Sequence, residues 1–100
     1  TVVITSFISP FFEDRESAKQ TIGDDYFLEV FVNTSPETCE GRDPKGLYKK
    51  VRNGEILNFT GISSPYEAPR NPDLEIRTET ESVEEAVERI WSLVKLKIAL

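Results

Sequence analysis

The chain predicts an α/β fold built on a parallel sheet, and three observations lead there. Val2-Val3-Ile4 and Phe27 to Val32 (FLEVFV) are short, nearly continuous apolar runs, the pattern of strands covered on both faces. Helix-start and helix-stop signals follow each of them. The resulting order of strand, helix, strand, helix, strand, helix is that of α/β units joined by crossovers.

Val2-Val3-Ile4 forms the first predicted strand, and Ser9-Pro10 turns the chain out of it. A helix is expected from Glu13 to Ile22, with Gly23 placed to end it. FLEVFV is the second strand. Ser35-Pro36 reads as an N-cap with proline at the first helical position, so a short helix carries Cys39. A further helix is expected from Pro44 to Asn53, closed by Gly54. Residues 55–72, rich in Gly, Ser, Pro and Asn, read as an ordered loop that Tyr66-Glu67-Ala68-Pro69 pins down. Leu74 to Thr78 is the third strand. Ser82 and Glu85 make a capping box, and Val83, Val87, Ile90 and Val94 then line one face of a helix running to the end. Strands with two apolar faces need neighbours on both sides, and about three strands do not supply them. The sheet is therefore expected to be incomplete, with further strands coming from residues outside these hundred.

Composition narrows the chemistry. The chain has 100 residues, 38% hydrophobic and 30% charged, which suits one small domain or a piece of one. A formal charge of −6 argues against general affinity for nucleic acid or membrane surfaces. No apolar run approaches the ~20 residues that span a bilayer, and no secretory signal opens the chain. One cysteine and no histidine exclude intrachain disulfides, Cys/His zinc sites and histidine acid–base chemistry. A reducing, cytoplasmic setting is expected. The acids from Glu79 to Glu88 fit a helix N-terminus better than a metal site, so no metal ligands are assigned. Cys39 and Trp91 read as packing residues.

Against this acidic background, Arg42 to Gly61 (RDPKGLYKKVRNGEILNFTG) carries five basic residues and two acids. Lys45 lies beside Gly46, which lets backbone approach a ligand. With Lys49 and Arg52 at spacings of four and seven, it is expected to share one helix face. Such a face is either a solvated surface or an anion site. Phe59, between Asn58 and Thr60-Gly61, either plugs its loop into the core or stacks on a base. Ser9 follows the carboxyl end of a predicted central strand, where open α/β sheets place ligands. It either begins a helix or, with helix amides beside it, contacts an anionic oxygen. Together these residues describe an anion- or nucleotide-binding α/β unit.

The series ITSFISPF (4–11), FLEVFV (27–32), RDPKGLYKK (42–50), GEILNFTGI (54–62) and PYEAP (65–69) closely resembles adenylylsulfate kinase, in order and without gaps. RDPKGLYKK and NFTG are highly specific to that family, and the match covers its carboxyl-terminal half. The resemblance implies a P-loop kinase fold with a mobile lid, here spanning about 42–72. It also implies ATP-dependent phosphorylation of the 3′-hydroxyl of adenosine 5′-phosphosulfate in sulfate assimilation. By the same resemblance Ile8 and Ser9 contact the adenylylsulfate substrate, Lys45 is the lid lysine at that substrate, and Arg42 is the lid arginine near ATP. Asn58 and Phe59 contact the substrate adenine. Ser9 also matches a serine described as a phosphoserine in some members; direct in-line transfer, with Ser9 orienting substrate, is the preferred reading.

The chain departs from the family pattern in one respect: it contains neither G-x-x-x-x-G-K-[ST] nor Asp-Gly-Asp-Asn. The phosphate-cradling amides and most contacts to ATP and its Mg2+ are thus expected from residues outside the chain, and these hundred residues alone are expected to be inactive. The family setting is compatible with a homodimer and with fusion to ATP sulfurylase. A competing reading is a non-catalytic, kinase-like regulatory domain of an ATP sulfurylase that binds the product as effector. Its signature is decay of the P-loop and lid motifs, and the lid here is intact. A basic nucleic-acid-binding module is a weaker third reading, because the positive charge is too local.

Overall fold

The computed structural model describes residues 1–61 and 64–98; the ends of segment 54–62 and of the final helix lie outside that range, as do two lid residues, Ile62 and Ser63. The fold is α/β, with a parallel sheet that is incomplete. Strand β1 (Val30–Asn33) pairs in parallel with β2 (Leu74–Arg77), in the register Val30 to Leu74 and Val32 to Ile76. Both ends of the pair are clamped. The Glu29 carbonyl accepts from the Asp73 and Leu74 amides at 2.9 and 3.2 Å, and Asp73 Oδ2 accepts from the Glu29 amide at 2.7 Å. At the other end Asn33 Nδ2 donates to Glu75 at 2.9 Å, and the Thr34 and Thr78 hydroxyls hydrogen-bond.

Helix α1 (Phe12–Ile22) precedes β1 and stops at Gly23, whose φ of 97° is open to glycine. Helix α2 (Pro36–Arg42) starts as its sequence dictates: the Ser35 side chain accepts from the Thr38 amide at 3.2 Å, and Pro36 occupies the first position. Helix α4 (Val83–Ile98) opens with the expected reciprocal pair, the Glu85 amide to Ser82 Oγ at 3.1 Å and the Ser82 amide to Glu85 Oε1 at 3.3 Å.

Helix α3 is shorter than expected, spanning Leu47–Arg52 and not 44–53. A turn over residues 43–46, closed by the Gly46 amide bonding the Asp43 carbonyl at 3.1 Å, delays its start. The Asp43 carboxylate then accepts from the Tyr48 and Lys49 amides at 3.0 and 3.1 Å. Asp43 thus satisfies two orphan donors of α3 from outside the helix. This corrects the shared basic face, because Lys45 lies in the turn and not on the helix with Lys49 and Arg52.

The strand expected at Val2-Val3-Ile4 does not form. These residues carry no regular structure, and Ile4 is 89% exposed. A two-faced apolar run becomes a strand only with neighbours to bond it, and the sheet here is two strands wide. Among the described residues only Val51 and Ile76 are buried apolar side chains, while Val32 on the sheet is 62% exposed. The radius of gyration, 15.5 Å, exceeds the ~13 Å of a compact domain of this length. No helix among the described residues is long and apolar enough to cross a membrane.

Candidate functional site

The opening segment, β1 and the loop after α3 enclose a broad cleft of about 1460 Å³, lined by Ile8 and Ser9 and by Asn58, Phe59 and Gly61. The apolar side chains of residues 27–32 also border it, so part of this space is uncovered sheet surface. Ser9 holds a φ of 43°, in the left-handed region that a serine adopts only at a cost. Its carbonyl accepts from Arg15 Nη1 at 2.5 Å. The next peptide is fixed by the Glu67 amide, which donates to the Pro10 carbonyl at 2.7 Å. Glu67 Oε1 in turn accepts from the Phe12 amide at 2.7 Å. The expectation that α1 aims free amides at Ser9 is therefore corrected for its first amide, which a distant carboxylate already occupies.

Phe59 is half-buried and meets Tyr48 edge-on, with ring centroids 4.9 Å apart and planes at 69°. Tyr48 rises from α3 toward Cys39 of α2. Burial pushes its phenol above the ordinary range, and a hydrogen bond with Cys39 adds to the rise. After Phe59 the Ser64 amide bonds the Phe59 carbonyl at 3.0 Å and the Gly61 amide bonds the Ser64 carbonyl at 2.8 Å. Asn58, exposed at the rim, holds a φ of 56°. Phe59 thus packs against Tyr48 while also lining the cleft.

The basic residues divide. Arg52 is committed to Glu40 by a two-pronged contact at 2.5 and 3.2 Å, and this pair holds the Glu40 carboxyl below the usual range. Arg42 turns to the end of β2, donating to Thr78 Oγ1 at 2.9 Å and the Thr78 carbonyl at 3.1 Å. Lys45 is exposed and, among the described residues, has no hydrogen bond or ion pair. Neither Arg42 nor Lys45 lines the cleft; Ile8, Ser9, Asn58 and Phe59 do. Among the described residues no three His, Cys, Asp or Glu side chains are grouped to hold a metal ion.

A second clamp joins α2 to the segment after β2. Glu79 Oε1 accepts from the Ser35 amide at 2.9 Å and from the Thr38 hydroxyl at 3.0 Å. The Ser35 amide, followed by the Ser35 and Thr38 side chains, holds the Glu79 carboxyl below the usual range. A depressed carboxyl stabilises the fold above the pKa of the unfolded chain and loses that contribution as pH falls through the folded value. The stability advantage of the parent over Glu79→Gln is therefore expected at neutral pH and should vanish in acid below the ordinary carboxylate range. Thermal midpoints of both proteins across that range check this; an advantage that persists in acid would count against the clamp.

Arg15, Asp43, Tyr48 and Glu79 organise the cleft and its supports without having stood out in the sequence. Arg15 sits in the run Glu13-Asp14-Arg15-Glu16, where one cation among acids reads as ordinary surface patterning. Its partners are the Ser9 carbonyl six residues back, Glu29 at 14 residues and Glu67 at 52, and no helical or strand spacing encodes those contacts.

A family model described as adenylylsulphate kinase matches residues 1–77. An adenylyl-sulfate kinase of Staphylococcus epidermidis is 52% identical over 94 residues, covering 94% of this chain and 47% of that protein. A probable adenylyl-sulfate kinase of Halalkalibacterium halodurans is 58% identical over 91 residues, covering 91% and 45%. Among solved structures, the Mycobacterium tuberculosis APS kinase CysC in complex with AMPPNP and APS superposes with a TM-score of 0.83 at 45% identity, covering 89% of this chain and 52% of that one. The chain spans about half the length of the curated relatives it matches.

Proposed function

The chain belongs to the adenylylsulphate kinase family, and on that premise we propose that the full-length protein is a cytoplasmic enzyme that phosphorylates the 3′-hydroxyl of adenosine 5′-phosphosulfate at the expense of ATP, for sulfate assimilation. These residues form its carboxyl-terminal half, with a lid over about 42–72. The observation that carries the reading is the convergence of Ser9, Asn58 and Phe59, from distant parts of the chain, on one cleft. The related Mycobacterium tuberculosis enzyme was solved with APS and AMPPNP, which supports the same pair of substrates here.

In this reading the substrate adenine lies on Phe59 beside Asn58, and Ile8 and Ser9 hold the substrate so that its 3′-hydroxyl faces the nucleotide. The 3′-oxygen bonds to the γ-phosphorus as the bond to the β–γ bridging oxygen breaks; ADP leaves, and the hydroxyl proton is released. Closure of the lid brings the uncommitted Lys45 ammonium to the substrate anion. Arg42 exchanges its Thr78 contacts for ATP. Glycines at positive φ in the lid, Gly46 at 66°, Gly54 at 77° and Gly61 at 86°, give the backbone places to turn. The ATP phosphates and magnesium are held by the half that carries the P-loop, which these hundred residues lack.

The test is product identity. Full-length protein given ATP, Mg2+ and adenosine 5′-phosphosulfate should release ADP and 3′-phosphoadenosine 5′-phosphosulfate in equal amounts, and residues 1–100 alone should release neither. Binding of the product without turnover by the full-length protein would contradict the enzymatic reading and favour the regulatory one.

A further inference from the structure

The guanidinium of Arg15 gathers three separate segments around Ser9. Nη1 donates to the Ser9 carbonyl at 2.5 Å and Nη2 to the Glu67 carbonyl at 2.5 Å, while Nε faces Glu29 Oε2 at 3.5 Å. The guanidinium carbon lies 5.9 Å from the centre of the Tyr66 ring, and that ring stacks on Phe31 of β1 at 6.3 Å and 29°. Only 10% of the Arg15 side chain is exposed. A largely buried cation bonded to two backbone carbonyls serves as a fastening, since each terminal nitrogen of its planar head holds a different stretch of chain. Its first fastening point is the peptide at which a serine is kept in the left-handed region. Backbone strain of that kind persists where the surroundings hold it, and it concentrates at functional sites.

We propose that Arg15 is the positioning residue of the adenylylsulfate subsite: it holds the Ser9 peptide in its strained geometry and ties the return of the lid, residues 66–67, to the same point. The inference rests on the kinase reading above. Substrate orientation at Ser9 and the seating of the closed lid then depend on a single side chain. Lysine cannot replace it, because an ammonium lacks the fork that bonds two carbonyls in one plane. Since the carbonyls are bonded through charge-assisted hydrogen bonds, and small displacements of a bound substrate cost rate steeply, the loss should appear in adenylylsulfate turnover.

The experiment compares Arg15→Lys, Arg15→Gln and Glu29→Gln with the parent full-length protein by steady-state kinetics and by amide hydrogen exchange. Both Arg15 variants should lower kcat/KM for adenylylsulfate about 10- to 100-fold, with the KM for ATP within about twofold of the parent. Glu29→Gln, which keeps both carbonyl contacts, should change it by less than about threefold. Exchange should quicken at the Glu67 and Phe12 amides while the β1–β2 ladder stays as protected as in the parent. That readout does not depend on turnover, so it stands even if the parent proves not to be a kinase, a result that would overturn the functional reading separately. Parent-like exchange at Glu67 and Phe12 in Arg15→Gln overturns the inference. So does loss of protection throughout the sheet, or an equal fall for both substrates, since each marks a purely structural arginine.

Discussion

Lys45→Ala in the full-length protein is expected to lower kcat/KM for adenylylsulfate about 100- to 1000-fold, the scale on which a preorganised charged or hydrogen-bonding group stabilises a transition state. The argument begins from what Lys45 does not do in this structure. It sits in the exposed turn before α3, and among the described residues it has no acid partner, whereas Arg52 is committed to Glu40 and Arg42 to Thr78. An ammonium with no structural duty in an acidic chain has lost nothing to a local partner, so its full charge remains for an anion brought within reach. Removing it should leave the thermal midpoint unchanged, because surface substitutions without partners usually stay within about 0.5 kcal/mol. Kinetics and melting of the same preparation check both halves. Unchanged turnover and substrate affinity would remove Lys45 from the site.

Phe59→Leu is expected to weaken adenylylsulfate binding about 5- to 150-fold, the range that ~1–3 kcal/mol of base stacking implies. Leucine keeps most of the apolar volume against Tyr48 but has no π-face to offer a base. Phe59→Ala should lose the same affinity and also stability, because the edge-on contact with Tyr48 contributes about 0.5–1.5 kcal/mol beyond area burial. Titration calorimetry with adenylylsulfate and thermal melts of both variants separate the two roles. A leucine variant that binds as tightly as the parent would mean that Phe59 only plugs its loop.

The elements legible in the sequence were those whose signals are local. Ser35-Pro36, the Ser82–Glu85 box and Gly23 each announce a helix boundary within four residues, and each forms as written. The start of α3 was misread because Pro44 resembles a first helical residue, while the residue that caps the helix is Asp43 acting across a turn. Val2-Val3-Ile4 has the composition of a strand, yet a strand also requires partners, and composition cannot supply them. At the site, Ser9, Asn58 and Phe59 stood out as polar or aromatic residues in unusual company. Arg15 and Glu79 did not, because their significance lies in tertiary contacts that no helical or strand spacing announces, Ser9 and Glu67 for the first and Ser35 and Thr38 for the second.

The basic island therefore resolves into two parts. Arg42 and Arg52 are bonded to Thr78 and Glu40, and Lys45 has no partner among the described residues. The crystal structure of the full-length protein with bound adenosine 5′-phosphosulfate tests the central claim most directly. The account predicts the adenine face-on to the Phe59 ring, within hydrogen-bond reach of Asn58, and the substrate against Ser9 with Lys45 closed over its anionic groups. Adenylylsulfate seated away from Phe59 and Ser9, with those residues still facing an unfilled cleft, would contradict it.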